Sequence, residues 1–462
     1  MGMLDAFRRH LETSRLIPEG ARVLVGYSGG ADSTCLLHLL FRAGVDIIAG
    51  HLHHGQRPEA EKEFKLCEAF CAEIGVPFAS GRADVPKMAV DLKIGLEEAG
   101  REARYSFFRQ AAFRLSCDLV ATAHTRTDLV ETMLFNLSRG CGLSGLAGIP
   151  EKRENIVRPL LPFSRLETRA YCEEHGLWYH DDPANEDLSF SRARVRMRVL
   201  PELRAINSAA DENLARLAQI AEEEDGFLNG MAAAALEQSE VPLNGDLAFL
   251  TKDCELALSR AKLESLPRVL FKRAVRLAVE ALGGELNYDQ TELAANAIPS
   301  EAKGAVTAEG GEVVLEWNSE AVVVRQLTPA APFRYGLTIP GETVSDEFGW
   351  AFTAFENEPG PELPKRQALQ VELAQNKLKG QLYFRTLKDG DRMQPLGFEG
   401  HRKLSDLISE AGLTLAARQR LPIVCDLVGP IWAPNICLDE RVRTDSETRR
   451  VIVLRFGAEV AL

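Results

Sequence analysis

Residues 21–27, Ala-Arg-Val-Leu-Val-Gly-Tyr, make a short apolar run that leads into a glycine-rich turn, and the pattern predicts a buried strand. The period then changes. Leu36, Leu37, Leu39 and Leu40 give residues 33–42 a helical pattern. Residues 45–50 read as a second strand, and 58–74 as an amphipathic helix with Pro58 in its first turn, where proline is tolerated. Residues 76–79 and 118–121 read as further strands, and 96–116 and 126–138 as helices. Strands alternating with helices of this length predict βαβ units and a mostly parallel sheet. This α/β domain is expected to occupy residues 1–205.

The pattern differs beyond that point. Residues 207–297 carry alanine- and leucine-rich runs of helical character, and 313–324 alternate loosely, as a hairpin after Gly310-Gly311 would. Residues 327–376 are rich in proline and polar side chains and read as irregular structure or a linker. Residues 380–460 predict a small α+β unit, with a helix at 403–411 and strands near 421–427, 430–433 and 450–456. The expected division is therefore a helical middle domain with linker at 206–376 and a small α+β domain at 377–462.

Charge sharpens this division. The 462 residues hold 54 Lys+Arg against 67 Asp+Glu, a net charge of −13. Residues 1–210 have 27 basic and 28 acidic side chains, residues 211–376 have 13 and 28, and residues 377–462 have 14 and 11. The acidity belongs to the middle, so indiscriminate nucleic-acid binding is disfavoured while a local basic surface is not. Arg192, Arg194, Arg196, Arg198 and Arg204 form one basic stretch, open to two readings, a solvated face or phosphate contact. No apolar run is long enough for a membrane-spanning helix, and the first ten residues lack the apolar core of a secretory signal. Nine thinly spread cysteines without a Cys-x-x-Cys pair fit a reducing, cytoplasmic setting, and Cys67 and Cys71 read as buried helix-face thiols.

The chemistry concentrates in Ser28-Gly-Gly-Ala-Asp-Ser33, between a predicted strand and a predicted helix. Glycines allow close approach to an anion, and a helix start supplies unpaired N–H groups and a positive dipole end. Ser28 and Ser33 add hydroxyl donors. Asp32 would repel a bare phosphate, so its presence points to Mg²⁺ between the carboxylate and the phosphates.

This string resembles the Ser-Gly-Gly-x-Asp-Ser loop of the PP-loop ATPases, which cleave ATP between its α and β phosphates and adenylate a carbonyl oxygen. The resemblance implies an adenine-nucleotide-α-hydrolase-like parallel sheet, with ATP contacted by Ser28, Gly29, Gly30, Ala31, Asp32 and Ser33. Further stretches resemble the lysidine synthetase branch. They are His51-Leu-His-His-Gly-Gln-Arg57, Glu97-Glu-Ala-Gly-Arg-Glu-Ala-Arg-Tyr105, Ala123-His-Thr-Arg-Thr-Asp-Leu-Val-Glu-Thr132, the segment 136–148, Asp181-Asp-Pro-Ala-Asn185, and Gly390-Asp-Arg-Met-Gln-Pro-Leu-Gly397. Two positions depart from that branch: His53 stands where Asn is usual, and Thr127 where a second Asp is common.

The resemblance implies a two-step reaction. ATP activates C2 of the wobble cytidine of a CAU-anticodon tRNA(Ile), releasing pyrophosphate; the ε-amine of free L-lysine then attacks C2 and AMP leaves. Asp128 and Glu131, three apart on a predicted helix, share a face and could hold the ammonium and take its proton, the competing reading being a solvated acidic face. Arg101 and Arg104 are assigned to lysine's carboxylate or to phosphate, or else to pairing with Glu97 or Glu98. His51 and His54 are placed in the adenine or phosphate pocket. Arg139, Arg192, Arg194 and Arg196 are candidates for RNA contact, and the C-terminal unit for the tRNA acceptor end. Catalysis is assigned to Asp32, Asp128 and Glu131, metal binding to Asp32. A homodimer is left open. Three other readings compete: a PP-loop tRNA thiolase, which would want catalytic cysteines; an amidotransferase-type synthetase; and an ATP-gated RNA-binding protein without catalysis.

Overall fold

The computed structural model describes residues 2–53, 60–180, 191–345, 347–360 and 367–458. The chain divides into two compact units, Met1–Gly226 and Phe227–Leu462. Pro58, His54 and the segments 54–59 and 181–190, on which expectations rest, lie outside the described residues.

The first unit opens with α1 (Met3–Ser14), β1 (Arg22–Gly26), α2 (Ala31–Ala43), β2 (Asp46–His53), α3 (Ala60–Ile74) and β3 (Phe78–Arg82). It continues through α4 (Val85–Leu92), α5 (Leu96–Arg114), β4 (Leu119–Ala121), α6 (Arg126–Ser138), α7 (Leu143–Leu146), β5 (Lys152–Arg153) and β6 (Ile156–Val157). It ends with α8 (Arg165–Glu174), α9 (Ser191–Arg194), a π-helical turn at Val195–Val199, α10 (Leu200–Ile206) and the start of α11 (Ala210–Ser239).

Its sheet has the order β3-β2-β1-β4-β6-β5, parallel except for the β5/β6 hairpin. β1 lies at the centre because both of its faces are apolar. Val23 and Val25 join the cluster of Leu36, Leu37, Leu40 and Tyr171, while Leu24 turns to Phe107, Phe108 and Val120. Gly26 belongs to this packing, since a Cβ there would lie 2.7 Å from the Phe108 ring. β2 and β4 flank β1, and the chain reverses its direction of progress between β1 and β4. Ligands of open parallel sheets bind outside the carboxyl ends of the strands at such a point. The loop 27–30 and the segment 122–125 both emerge there.

α1 and α4 were not anticipated. α4 carries a local signal, with the Asp84 side chain accepting the Lys87 N–H at 3.1 Å and Pro86 in the first turn.

The second unit completes α11 and adds β7 (Glu255–Ser259), α12 (Arg260–Glu264), α13 (Arg268–Glu280), α14 (Tyr288–Ser300), β8 (Gly304–Thr307), β9 (Val313–Trp317) and β10 (Ala321–Gln326). The expected hairpin is β9/β10, inside an antiparallel sheet of order β7-β10-β9-β8 that packs on α13 and α14 through Phe271, Val275, Leu315 and Val322.

The expected irregular stretch 327–376 is a correction. It holds β11 (Arg334–Gly336), β12 (Gly341–Ser345), β13 (Trp350–Asn357) and β14 (Gln370–Ala374). Its prolines 329, 332, 340 and 359 fall between strands. After β15 (Tyr383–Arg385), β16 (Arg392–Met393), β17 (Arg402–Lys403), α15 (Leu404–Glu410), α16 (Leu415–Arg420), β18 (Ile423–Cys425), β19 (Pro430–Ala433) and β20 (Cys437–Leu438) comes β21 (Val451–Ala458). β21 pairs with both β13 and β14. The strand that pairs with β13 and β14 therefore lies about a hundred residues downstream, where no local pattern reveals it. Among the described residues no helix is long and apolar enough to cross a membrane.

Candidate active site

The loop after β1 is built from its own side chains. The backbone N–H of Ser28 donates to Ser33 Oγ at 3.2 Å, Ser28 Oγ and Ser33 Oγ lie 3.1 Å apart, and Ser33 Oγ donates to the Gly30 carbonyl at 2.9 Å. Gly29 has φ +83°, a conformation that favours glycine, and its carbonyl accepts the backbone N–H of His180 at 3.0 Å. A Cβ on Gly29 would lie 2.7 Å from Cys67 Sγ and 3.0 Å from His180 Nδ1. Gly30 caps α2, Ala31 is its first residue, and the amides of its first turn meet no capping side chain. This is an anion cradle at a helix N-terminus.

Asp32 stands on that first turn. Its Oδ2 receives Arg165 Nε at 3.1 Å and its Oδ1 receives the Thr168 hydroxyl at 2.5 Å. The second nitrogen branch of the same guanidinium reaches Asp128 Oδ1 at 2.9 Å. Asp128 Oδ2 also accepts the Thr125 N–H and hydroxyl, both at 2.8 Å, in the capping box that opens α6. Burial raises the Asp32 carboxyl above its usual range, more than Arg165 and Thr168 lower it. Burial also acts upward on Asp128, but Arg165, His124 and the Thr125 donors outweigh it and hold this carboxyl below the usual range.

Glu131, one turn further along α6, is only 2% exposed. Arg196 chelates it, Nε to Oε1 at 2.6 Å and the second nitrogen to Oε2 at 2.8 Å. Arg196, expected at RNA, thus has its guanidinium paired with a buried carboxylate of α6. With Glu131 buried against Arg196 and Asp128 paired with Arg165, the solvated-face reading of the two carboxylates does not hold. Arg139, Arg192 and Arg194 are exposed, Arg139 lying over the Phe135 ring at 5.4 Å.

Arg101 and Arg104 project from α5, both exposed, with Arg101 over the Tyr105 ring at 4.8 Å. Neither forms an ion pair with Glu97 or Glu98 among the described residues. Surrounding protein depresses Arg104, and Arg101 adds to that effect. Arg158, 5% exposed, donates to the Pro150 carbonyl at 2.6 Å and is depressed mainly by burial. These three cations act on His124, which burial and their field push down to about 4 against the opposing pull of Asp128. His51 is buried, with Nδ1 2.9 Å from the Tyr27 carbonyl and its ring against Phe64 and Phe78. It props the strand end that feeds the loop. Burial lowers its pKa.

Residues 4–203 match a model of the PP-loop domain, and residues 382–454 match the TilS substrate C-terminal domain. The chain is 30% identical to the tRNA(Ile)-lysidine synthase of Symbiobacterium thermophilum, over 98% of this chain and 97% of that one. It is 30% identical to that of Geobacillus kaustophilus, over 99% of each. The chain belongs to the tRNA(Ile)-lysidine synthase family. It is 27% identical to a third synthase, from Caldanaerobacter subterraneus, over 99% of this chain and 98% of that one.

As a lysidine synthase family member, the chain is an ATP-dependent ligase that modifies tRNA, and ATP is its substrate. Three residues near its candidate site were not singled out from the sequence: Arg165, Thr168 and Arg158. The local signal for the first two is Ser164-x-x-Glu167, a capping box that starts α8, which carries Arg165 and Thr168. The departure at Thr127 also finds a place. Thr127 is buried, and its Oγ1 accepts the backbone N–H of Arg165 at 3.2 Å, tying α6 to the start of α8. His53 is buried, with Nε2 3.8 Å from Glu61.

Among the described residues no group of three or more His, Cys, Asp or Glu could hold a metal ion. The donor set at the loop is Asp32, with Asp128 across Arg165. That suits a magnesium ion carried in on nucleotide phosphates, which needs only one or two carboxylates, and not a resident ion in a protein cage.

Proposed function

We propose that this chain adenylates C2 of the wobble cytidine in a CAU-anticodon tRNA(Ile) and joins free L-lysine to it through the ε-amine. The observation that carries this reading is the single guanidinium of Arg165 between Asp32 and Asp128. It brings the phosphate loop and the acidic helix α6 into one site, where nucleotide and amine must meet.

In this reading the loop 28–33 grips the departing pyrophosphate through backbone N–H groups and the two serine hydroxyls. Asp32 would hold Mg²⁺, which when bound supplies positive charge to the phosphates. Asp128 and Glu131 draw the ε-ammonium, while Arg101 and Arg104 take lysine's carboxylate or the α-phosphate. Arg139, Arg192 and Arg194 face RNA backbone, and the 377–462 region holds the acceptor end. A cytoplasmic setting suits nine free cysteines. The division at residues 205 and 376, and the homodimer, stay proposals that bear on no step here.

The test mixes the protein with ATP, Mg²⁺, labelled lysine and a CAU-anticodon transcript, beside a transcript with U at the wobble position. Label in the cytidine transcript alone, with AMP released, is the expected result. AMP without lysine incorporation would remove lysine as the nucleophile, and no AMP with folded protein would remove the adenylation step.

A further inference from the structure

We infer that His124 is the group that accepts the proton from lysine's ε-amine as its nitrogen attacks the adenylated cytidine. The inference rests on the lysidine-forming reading above and names a catalytic residue within it.

The two carboxylates on α6 are poorly placed for this task. Asp128 accepts three hydrogen bonds, one of them from the Arg165 guanidinium, and Glu131 is chelated by Arg196. A carboxylate held this way must surrender a charged donor before it can take a proton. Both remain suited to attracting an ammonium and unsuited to deprotonating it.

His124 is differently arranged. It follows β4 at the carboxyl edge of the sheet, beside the loop after β1, because β1 and β4 pair with Val25 opposite Ala121. Its Nδ1 lies 2.9 Å from Thr122 Oγ1, which orients the ring. Its Nε2 carries no hydrogen bond among the described residues, and the residue is half-buried. With Nδ1–H donating to Thr122, Nε2 presents a lone pair to the site.

The charged groups facing it are Asp128 from α6, Arg101 and Arg104 from α5, and Arg158 after β6. In the free protein burial, with the field of the three arginines added to it, keeps the imidazole neutral, which is the acceptor form. Lysine's carboxylate and the adenylate phosphate would cancel that field when bound, leaving Asp128 as the dominant neighbour and making the ring more basic as the substrates assemble.

The step balances. The ε-ammonium gives one proton to Nε2, the nitrogen lone pair forms the C2–N bond, and the C2–O bond breaks with its electron pair leaving on AMP. A second N–H proton follows onto the departing AMP phosphate, and His124 returns its proton to water.

The experiment separates the two half-reactions in the full chain. Pyrophosphate exchange with ATP and the cytidine transcript reads adenylation; single-turnover transfer of labelled lysine to the preformed adenylate reads the second step. His124→Gln is expected to keep exchange within a few-fold and to slow transfer by about a hundred-fold or more, the usual range for a lost acid–base group. The deficit should shrink with S-(2-aminoethyl)cysteine, whose side-chain amine is less basic than lysine's. The inflection that the imidazole sets in the transfer pH profile should disappear, leaving a rate that rises steadily with pH as free amine replaces ammonium. Thr122→Val, which keeps the ring but frees it, should slow transfer alone and by less. Transfer at the wild-type rate in His124→Gln, or an equal deficit with both amines, would overturn the inference. A parallel loss of exchange and transfer in both variants would also overturn it, by making His124 structural. Wild-type protein that shows exchange without lysine transfer would refute the underlying reading instead.

Discussion

Arg196 closes on Glu131 with both arms of its guanidinium, at 2.6 and 2.8 Å. The residue reaches inward from a π-helical turn at Val195–Val199, between two α-helical segments. A π-turn shifts the helix face, and such turns often mark functional sites. Removing the guanidinium strands a buried carboxylate. Arg196→Ala should therefore cost about 3 kcal/mol of stability. The double variant Glu131→Gln with Arg196→Met should lose less, since no charge is left unpaired. Urea unfolding of the full chain compares them, and a double variant weaker than Arg196→Ala would contradict this account.

Asp32 and Asp128 share Arg165 yet respond to acid in opposite senses. Asp128 lies below its usual range, so its stabilisation is present above about pH 4 and is lost as the pH falls through its lowered value. Asp32 lies above its usual range, so its contribution is complete below about pH 4 and is lost as the pH rises through its raised value. Asp128→Asn should cost about 2 kcal/mol at pH 7 and much less at pH 3. Asp32→Asn should melt at or above wild type at pH 7, with the difference gone at pH 3, while pyrophosphate exchange is abolished. Thermal melts at the two pH values give the signs directly.

Gly29 can be tested by one methyl group. At φ +83° a Cβ costs about 1–2 kcal/mol from the backbone alone, and this one would meet Cys67 Sγ at 2.7 Å. Gly29→Ala should raise the KM for ATP by ten-fold or more in the exchange reaction. Adding Cys67→Ala should recover part of that loss by removing the clash, though not the strained φ. Recovery to wild-type KM would mean that the clash, and not the turn, governs the loop.

The parallel sheet and its phosphate loop were legible because each depends on local sequence. Strand and helix periods alternate over short windows, and Ser28 to Ser33 carry their own internal hydrogen bonds. The spacing of Asp128 and Glu131 was enough to put them on one helix. Their partners were not legible. Arg165 lies 133 residues from Asp32, and Arg196 lies 65 from Glu131, so these ion pairs exist only once the helices have packed. Within the arginine-rich stretch the sequence could not say which residue turns inward, because the π-turn that rotates Arg196 has no compositional mark. β13 and β14 were missed for a related reason, as their pairing with β21 is set by topology.

Arg104 gives the clearest division between stability and function. It has no ion-pair partner among the described residues, surrounding protein depresses it, and Arg101 on the same helix repels it. An exposed cation without a partner adds little to stability until an anion arrives. Arg104→Ala should thus melt at or slightly above wild type while impairing substrate use. The kinetic split identifies the anion. If Arg104 receives lysine's carboxylate, the KM for lysine should rise ten-fold or more in the transfer step, with exchange unaffected. In that case lysinamide, which lacks the carboxylate charge, should discriminate far less between variant and wild type. If Arg104 instead meets the α-phosphate, exchange falls and the lysine KM holds. A variant that melts well below wild type would show that Arg104 stabilises the free fold, contrary to its unpaired, depressed state.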